Sequence, residues 1–320
     1  MTPWPVIVGP TAGGKSDLAL ELASRLDGEL LSADAFQIYR GMDIGTAKPP
    51  PADLARAPHH LIDVVEPTEA FTVHDWLARA EALAREIAGR GRVPIVVGGT
   101  NLYVRALLDG LFEGPEPDEG VREVLRAMPP GERRAELERV DPAAAARIDA
   151  ADHRRTVRAL EVFRQTGTPI SELQRQWRDD RAQSALPWRV VGLDWAPESV
   201  NRRINARVRR MVERGLVEEA RGLWDRGRLG PQAREAIGYK QLLPVFEGNA
   251  SLDDAIERIK IESRRFAKNQ RTWLKRFRGR PGSVWLAGEG QSAGALAQQA
   301  LPGLDRAERE REGGPPSLPS

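Results

Sequence analysis

The sequence predicts an α/β fold: a P-loop core with a parallel sheet flanked by helices, plus a helical insertion domain. Short apolar strands alternate with amphipathic helices over the first third of the chain. The first strand runs into a glycine-rich loop, and a later segment is arginine-rich and helical without a convincing strand. We therefore expect a core formed by residues 1–113 and 188–290, with residues 114–187 as the insertion.

The first strand and helix surround the glycine-rich loop. Trp4–Val8 is apolar, and apolar residues then recur at helical spacing from Ser16 to Leu26, where Gly28 can close the helix. Glu29–Ala33 predicts a second strand that delivers Asp34 at its carboxyl end.

Further strands follow along the chain. Leu61–Val65 predicts a strand, and Thr72 to Asp75 predicts a capping box that opens a helix. Val93–Val97 predicts the next strand, which ends in Gly98-Gly99-Thr100 before a helix from Asn101.

The second half of the chain is mostly helical. Arg189–Leu193 predicts one more buried strand, and long helices fill the chain to about Phe277. The tail, residues 303–320, is polar and contains Gly-Gly-Pro-Pro, so we expect it to be disordered.

Composition excludes several kinds of site. The chain has no cysteine, which removes disulfides, thiol nucleophiles and cysteine-based zinc sites and suits a reducing cytoplasm. No apolar run approaches bilayer length, so we expect a cytoplasmic protein with no membrane partner. The net charge is only +2, so the distribution of charge carries more information than its sum.

The glycine-rich loop fits the pattern G-x-x-x-x-G-K-[ST]. It reads Gly9-Pro10-Thr11-Ala12-Gly13-Gly14-Lys15-Ser16. Its backbone N–H groups can surround an anion, Lys15 adds a charge, and Ser16 can ligate Mg²⁺. A chance glycine-rich turn is the alternative, which the preceding strand and following helix disfavour. We predict that the loop binds phosphate; the pattern leaves the phosphate compound open, a nucleoside triphosphate included.

Asp34 is a candidate catalytic residue because of its place in the predicted sheet. An aspartate after a strand is usually a loop residue or a helix cap. Ligands of parallel α/β sheets, however, bind at the carboxyl ends of the strands, where the P-loop, Asp34 and Gly98-Gly99-Thr100 all fall. A carboxylate beside a diphosphate suggests a general base or a metal ligand. The Gly98-Gly99-Thr100 corner could equally be an ordinary turn. His59 and His60 are expected to be structural or solvated.

A basic segment suggests nucleic-acid binding. Between Arg258 and Arg280 there are ten Lys and Arg residues and one acid. One stripe at helical spacing holds Arg264, Lys268, Arg271, Lys275 and Arg278, whereas Ile259, Phe266, Trp273 and Phe277 are expected to pack on the core. The insertion is also rich in arginine, at Arg154, Arg155, Arg158, Arg175 and Arg178. A solvated charged face is the alternative, but two basic segments beside one diphosphate site favour a nucleic-acid cleft.

From Val6 to Phe277 the sequence resembles the bacterial tRNA dimethylallyltransferase (isopentenyltransferase, MiaA) family. The resemblance rests on motifs at Gly9–Ser16, Ser32–Pro49, Val97–Tyr103, Arg158–Val162, Ala236–Lys240 and Phe266–Trp273. The second of these is much more specific than a P-loop. The resemblance implies transfer of a dimethylallyl group from dimethylallyl diphosphate to the N6 amine of the adenosine 3′-adjacent to a tRNA anticodon.

The resemblance also implies roles for particular residues. Asp34 would be the general base, Asp34, Ala35, Phe36 and Gln37 would contact the flipped adenine, and Thr100 and Arg122 would line the channel where the substrates meet. The tRNA would be bound by Arg154, Arg158, Arg264, Lys268 and Arg271. Mg²⁺ at Ser16 is the expected cofactor, and a monomer is expected.

The chain departs from the family pattern at two positions. Ala35 stands where serine is common, so a hydroxyl contact is lost, and Arg154 stands where many relatives have glutamine. A P-loop kinase of a nucleoside or small metabolite and a non-catalytic RNA-binding ATPase are the competing interpretations. The first leaves the basic helix unexplained, and no apolar strand is expected to end in the aspartate typical of the second.

Overall fold

The structure, a computed structural model, describes residues 3–111, 114–174 and 186–305. Six strands form one sheet in the order β3-β2-β4-β1-β5-β6, and all neighbouring pairs are parallel. The strands are β1 (Trp4–Val8), β2 (Gly28–Ala33), β3 (His59–His60), β4 (Val93–Gly98), β5 (Trp188–Asp194) and β6 (Val284–Ala287). The predicted fold class is confirmed.

Helices connect and flank the strands. They are α1 (Lys15–Leu26), α2 (Pro51–Leu54), α3 (Val73–Gly89), α4 (Asn101–Asp109), α5 (Glu119–Ala127), α6 (Pro130–Val140), α7 (Pro142–Ala145), α8 (His153–Thr166), α9 (Ile170–Leu173), α10 (Pro197–Glu213), α11 (Leu216–Asp225), α12 (Tyr239–Phe246), α13 (Leu252–Arg278) and α14 (Ala293–Asp305). Within the described ranges, none of them is long and apolar enough to cross a membrane.

The chain divides into two compact units. Unit 1 comprises residues 1–107 and 185–320, and unit 2 comprises residues 108–184. Unit 2 packs α5, α6, α7, α8 and α9 around its own apolar cluster, which includes Leu125, Leu137 and Leu160. We propose that the two units are the core and the insertion expected from the sequence, with boundaries near 108 and 184 instead of 114 and 187.

Strand β1 lies in the middle of the sheet between β4 and β5, and all of its residues are buried. A short, continuous apolar run is typical of a strand covered on both faces. Because all six strands are parallel, the loops that follow β1, β2 and β4 leave the sheet at the same edge.

Helix α1 ends differently from the expectation. Asp27, with φ 48°, is the left-handed residue that closes the helix, and its N–H donates to the Ala23 carbonyl. Gly28 is instead the first residue of β2, where a Cβ would lie 2.6 Å from Ile95 Cδ1. Aspartate tolerates the left-handed region better than most residues, so the glycine serves packing instead.

The predicted strand Leu61–Val65 is wrong. The strand is His59–His60, and Leu61 and Asp63 adopt left-handed backbone angles, with φ 62° and 54°. Those angles interrupt an extended run despite its apolar sequence. Val65 forms an isolated parallel bridge with Tyr39.

The capping box that opens α3 is confirmed. The Thr72 hydroxyl accepts from Asp75 N at 3.2 Å, and the Asp75 carboxylate accepts from Thr72 N at 2.8 Å. In the next turn, buried Trp76 donates its indole N–H to the Ser32 carbonyl at 2.8 Å. This helix is therefore tied to β2 just before the carboxyl edge.

Residues 303–305 belong to α14, so the expected disordered tail, 303–320, begins too early. Leu304 is fully buried in the apolar cluster that contains Leu18 and Leu22 of α1, which holds the last turn of the helix in place. Residues 306–320 lie outside the described residues.

Candidate active site

A cavity of about 400 Å³ opens at the carboxyl edge of the sheet in unit 1. The P-loop, the end of β2, the glycine corner after β4, and helices α10 and α13 all line it. The polar or charged lining residues used below are Lys15, Ser16, Asp34, Gln37, Arg203, Arg207, Arg210 and Gln270. The structure therefore places the P-loop, Asp34 and the Gly98-Gly99 corner around one space.

The P-loop is shaped by two left-handed residues, Ala12 with φ 59° and Gly14 with φ 82°. Lys15 folds back over the loop, and its Nζ donates to the carbonyls of Gly9 at 3.0 Å and Pro10 at 2.9 Å. Ser16 is exposed in the first turn of α1. The ammonium and the positive end of α1 therefore lie at the same place, which suits an anionic ligand.

The electrostatics of the cavity are dominated by cations. Burial, and after it the positive charge of Arg207, lower the pKa of Lys15 to about 8, although the Asp34 carboxylate opposes them. Burial also lowers the pKa of Arg207, while Asp34 raises it and Arg210 lowers it. Cations that depress one another's pKa are stabilised by any anion that binds between them.

Sequence reasoning missed the arginines that α10 contributes. Arg203, Arg207 and Arg210 line the cavity, and their spacing of four and three residues puts them on one helix face. Arg203 Nε donates to the Ala12 carbonyl at 2.6 Å, and its guanidinium lies 4.6 Å from the Trp195 ring centroid. The spacing predicts a basic helix face, but nothing in the sequence indicates that this face lies against the P-loop.

Asp34 has features of both sequence interpretations. Its Oδ1 accepts from the backbone N–H of Phe36 at 2.9 Å and of Gln37 at 3.3 Å, as a turn-forming aspartate does. Its carboxylate also lines the cavity and acts electrostatically on Lys15 and Arg207. Within the described part of the chain, Oδ2 has no hydrogen-bond partner, so one oxygen holds the turn and the other is available.

The segment after Asp34 is held by side-chain bonds. Ala35 N donates to Thr100 Oγ1 at 3.0 Å, and Thr100 N donates to the Ala33 carbonyl at 3.1 Å. Ala35, Phe36 and Thr100 are not among the cavity-lining residues, whereas Gln37 is. Thr100 thus connects the corner after β4 with the corner after β2.

The Gln37 amide is engaged at both ends. Its Oε1 accepts from Ser32 Oγ at 2.8 Å, and its Nε2 lies 3.2 Å from the carbonyls of both Thr46 and Ala47. Gln37 therefore shapes the cavity wall by tying the segment after β2 to the loop at 46–47.

Glu219 anchors the loop at residues 43–45, and the sequence did not reveal it. Its carboxylate accepts from the backbone N–H groups of Asp43, Ile44 and Gly45 at 2.8–3.1 Å and from the Tyr239 hydroxyl at 2.5 Å. Burial raises the pKa of Tyr239, and the nearby Glu219 charge raises it further. A Cβ at Gly45 would lie 2.4 Å from the Tyr239 ring, which explains the glycine.

The basic stripe on α13 is only partly free. Lys268 is exposed, whereas Arg264 is half-buried and donates to Asn205 Oδ1 at 2.7 Å. Arg271 is half-buried, and its Nη1 is buried without a hydrogen-bond partner among the described residues. Arg278 pairs with Asp194.

The predicted apolar face of α13 is wrong at one position. Ile259 and Phe277 are buried and Trp273 is half-buried, but Phe266 is 39% exposed and lines the cavity. The buried stripe instead runs through Ala267 and Gln270, so Phe266 falls at its edge.

The expectation that no apolar strand ends in an aspartate is also wrong. β5 extends one residue beyond the predicted Leu193 and ends at Asp194. That carboxylate is paired with Arg278 and does not line the cavity. In an ATPase the corresponding carboxylate would face the metal, whereas here it forms an ion pair with α13.

The two histidines differ. His60 Nε2 lies 2.6 Å from buried Glu29, which fits the expected structural role. His59 Nδ1 lies 2.8 Å from the Ala57 carbonyl, burial lowers its pKa, and it lines the cavity.

Unit 2 contains the remaining candidate residues. Glu161 is fully buried, forms an ion pair with Arg122 Nε at 2.9 Å, and accepts hydrogen bonds from Arg158 Nη1 at 2.7 Å and Asp118 N at 2.7 Å. Arg154 is exposed on α8. Arg122 does not line the cavity in unit 1, and its role in a reaction stays a prediction, while Arg175 and Arg178 lie outside the described residues.

Three comparisons with known proteins bear on this site. A family model described as IPP transferase matches residues 37–277. The chain is 48% identical over 277 residues to the tRNA dimethylallyltransferase of Geobacillus kaustophilus, covering 84% of this chain and 86% of that one. It is 44% identical over 321 residues to the tRNA dimethylallyltransferase of Methylococcus capsulatus, covering 97% of each.

Solved structures are similar as well. The full-length tRNA isopentenylpyrophosphate transferase of Bacillus halodurans superposes with a TM-score of 0.70 at 36% identity, covering 98% of this chain and all of that one. A eukaryotic dimethylallyltransferase solved acting on tRNA superposes with a TM-score of 0.75 at 27% identity, covering 97% of this chain and 78% of that one.

Proposed function

The chain belongs to the IPP transferase family, and we propose that the cavity of unit 1 is where its prenyl donor and the target adenosine react. The protein is a tRNA dimethylallyltransferase. We propose dimethylallyl diphosphate as the donor and the N6 amine of the adenosine 3′-adjacent to the anticodon as the acceptor, giving N6-(dimethylallyl)adenosine. We further propose that it works as a monomer in the cytoplasm, where its tRNA substrate is found.

The observation that carries the proposal is the cationic ring around the P-loop. Lys15, Arg203, Arg207 and Arg210 line one space, and burial has already lowered the pKa of Lys15 to about 8. When the bond between the allyl carbon and oxygen breaks, the bonding pair stays with the diphosphate. Fixed cations and loop N–H groups stabilise the charge that develops on that leaving group.

A Mg²⁺ ion fits the same place. Groups of three or more His, Cys, Asp or Glu residues that could hold a metal are absent from the described residues, so a protein cage for the ion is not offered. Mg²⁺ is commonly held by one or two protein oxygens together with substrate phosphates and water. Ser16 is the exposed hydroxyl that would hold it, and the bound ion would neutralise charge on the diphosphate.

Asp34 is proposed as the general base. The adenine amine is a weak nucleophile because its lone pair is delocalised into the ring. As the nitrogen–carbon bond forms, the amine must lose a proton, and Asp34 Oδ2 is free to accept it while Oδ1 holds the turn. The base must leave its stack to reach a carboxylate inside the cavity, as in other base-modifying enzymes.

Exposed and half-buried cations on each unit are proposed to hold the tRNA backbone. In unit 1 these are Lys268 together with Arg264 and Arg271 on α13, and in unit 2 they are Arg154 and Arg158 on α8. Arg158 is also bonded to Glu161, so part of its charge serves the unit itself. Phosphate contacts of this kind give affinity and orientation without reading sequence.

The direct test is to incubate the protein with labelled dimethylallyl diphosphate and total bacterial tRNA and then digest the RNA. Label in N6-(dimethylallyl)adenosine is the expected result. A parallel reaction with ATP in place of the donor, with and without tRNA, measures nucleotide consumption. ATP hydrolysis or phosphate transfer with no labelled nucleoside would favour a kinase or an ATPase and contradict the proposal.

A further inference from the structure

Gln270 is a buried polar residue on an otherwise charged stretch of helix α13. Its side chain is 1% exposed, while its neighbours Lys268 and Asn269 are exposed. A buried amide is costly unless both of its polar ends find partners. The partners of this residue therefore indicate why it faces inward.

Both ends of the Gln270 amide are engaged by the site. Its Oε1 accepts from the backbone N–H of Thr11 in the P-loop at 2.7 Å, and its Nε2 donates to the carbonyl of Gly99 at 2.9 Å. The side chain therefore joins the loop after β1 to the corner after β4. Because both ends are taken, Gln270 has little capacity left to bind substrate itself.

The connection continues to Asp34. Gly99 precedes Thr100, whose hydroxyl accepts from Ala35 N and whose backbone N–H donates to the Ala33 carbonyl. Asp34 lies between those two residues. A chain of hydrogen bonds thus runs from the P-loop through Gln270 and the corner after β4 to the segment that carries Asp34.

Gly99 fits this connection closely. A Cβ built there would lie 2.4 Å from Gln270 Nε2 and 3.7 Å from Lys15 Nζ. The amide, the glycine corner and the P-loop lysine are therefore close neighbours. A side chain at Gly99 would push the amide away without touching the sheet pairing of β4, which ends at Gly98.

We propose that Gln270 is a positioning residue that fixes the P-loop relative to Asp34, and so sets the distance between the donor carbon and the general base. This inference rests on the proposed function, because it assigns the donor to the P-loop and the proton to Asp34. A misplacement of about 1 Å between reacting groups can lower a rate about 100-fold. Loss of Gln270 should therefore act on turnover more than on the binding of either substrate.

The first test is Gln270→Glu. The carboxylate keeps the acceptor for Thr11 N but repels the Gly99 carbonyl, and once protonated it regains a donor. We expect kcat with both substrates saturating to fall about 10- to 100-fold near neutral pH, with the KM values changed less than threefold. Burial raises the pKa of such a carboxyl group, and the nearby Lys15 ammonium lowers it. Protonation restores the donor, so the variant-to-parent ratio of kcat should rise as the pH is lowered.

Asn269→Asp is the matched control. It makes the same chemical change one residue earlier, on the exposed side of α13, and should leave kcat at saturating tRNA unchanged. A pH-independent kcat ratio for Gln270→Glu, or an equal loss in the control, would overturn the positioning role.

The second test uses Gly99→Ala, Gln270→Ala and the double variant. Because both substitutions break one connection, their effects on kcat should be non-additive, and the double variant should resemble the worse single one. Hydrogen exchange of the Thr11 amide in the intact protein should quicken in Gln270→Ala. If that exchange quickens while kcat stays within about threefold of the parent, the inference is wrong. A parent protein that transfers no prenyl group would instead contradict the proposed function.

Discussion

Two loops of unit 1 present backbone N–H groups that can bind an anion, and they differ in whether the protein supplies that anion. At residues 43–45 the protein supplies its own, because the Glu219 carboxylate accepts from three successive N–H groups. At the P-loop, within the described residues, no carboxylate accepts from the N–H groups of residues 12–16. The cations Lys15 and Arg207 lie there instead.

The comparison separates a structural anion site from the proposed ligand site. Both loops contain glycine, but left-handed residues occur in the P-loop, at Ala12 and Gly14, and not at residues 43–45. Their surroundings differ as well: Glu219 is held by Tyr239 and completes its loop, whereas beside the P-loop Arg207 lowers the pKa of Lys15 and Arg210 lowers that of Arg207. We infer that a turn whose N–H groups bind a carboxylate of the chain supports the fold, and that a turn surrounded by cations binds an anionic substrate.

Asp34, which lies between the two loops in the chain, should show the largest effect. Asp34→Asn keeps the shape and the bonds to Phe36 and Gln37 N–H but cannot take a proton. We expect single-turnover prenyl transfer to fall on the order of 10²–10⁴-fold, with donor and tRNA affinities changing far less. A rate within about threefold of the parent would contradict the general-base role and show that Asp34 only stabilises the turn.

The P-loop itself is tested by Lys15→Ala. Removing a charge-assisted bond of about 1.5–3 kcal/mol should weaken donor binding about 10- to 100-fold. Lys240→Ala is the matched control, because that lysine is exposed and pairs with Glu235. Equal donor affinity in the parent and Lys15→Ala would show that Gly9–Ser16 is not the donor site.

The pH dependence of donor binding sharpens the contrast. The pKa of Lys15 is lowered from its ordinary value to about 8, so the ammonium is present below pH 8 and lost as the pH rises through it. An anion binds the charged form, so affinity for inorganic pyrophosphate should fall by up to about tenfold per pH unit above 8. Titration calorimetry should also detect proton uptake near pH 8. Lys15→Ala should abolish both, and a dependence that persists in it would assign the titration to another group.

Glu219→Gln should have the smallest effect on the reaction and act on stability instead. It removes the charge that the N–H groups of residues 43–45 bind, which should cost about 1–3 kcal/mol and lower the Tm by several degrees. Glu218→Gln, an exposed neighbour, is the control and should leave the Tm unchanged. If Glu219→Gln weakened pyrophosphate binding and left the Tm unchanged, the loop at residues 43–45 would serve ligand binding and the contrast with the P-loop would be wrong.

Much of this architecture could be predicted because it is encoded locally. The P-loop pattern, the strand before it and the capping box at Thr72 each depend on a few consecutive residues. The strand predicted at Leu61–Val65 was wrong because a local apolar run does not reveal the left-handed backbone angles at Leu61 and Asp63.

The rest of the site depends on residues that are distant in the chain. Arg207 and Gln270 reach the P-loop only because α10 and α13 pack together beside the sheet. Each lies on a helix that is rich in charged residues, so from sequence each looks like part of a solvated helix face. Glu219 was missed because its partners are backbone N–H groups, which leave no pattern in the sequence.

The strand order has a consequence for how the chain folds. β1 pairs with both β4 and β5, yet residues 108–184, which form unit 2, are synthesised between those two strands. Until β5 emerges, one edge of β1 has unpaired N–H and C=O groups, and such edges can pair with other chains. Because this contact joins distant parts of the sequence, it should form late. We therefore expect a nascent chain that stops before β5 to need protection from aggregation even though its P-loop is already complete.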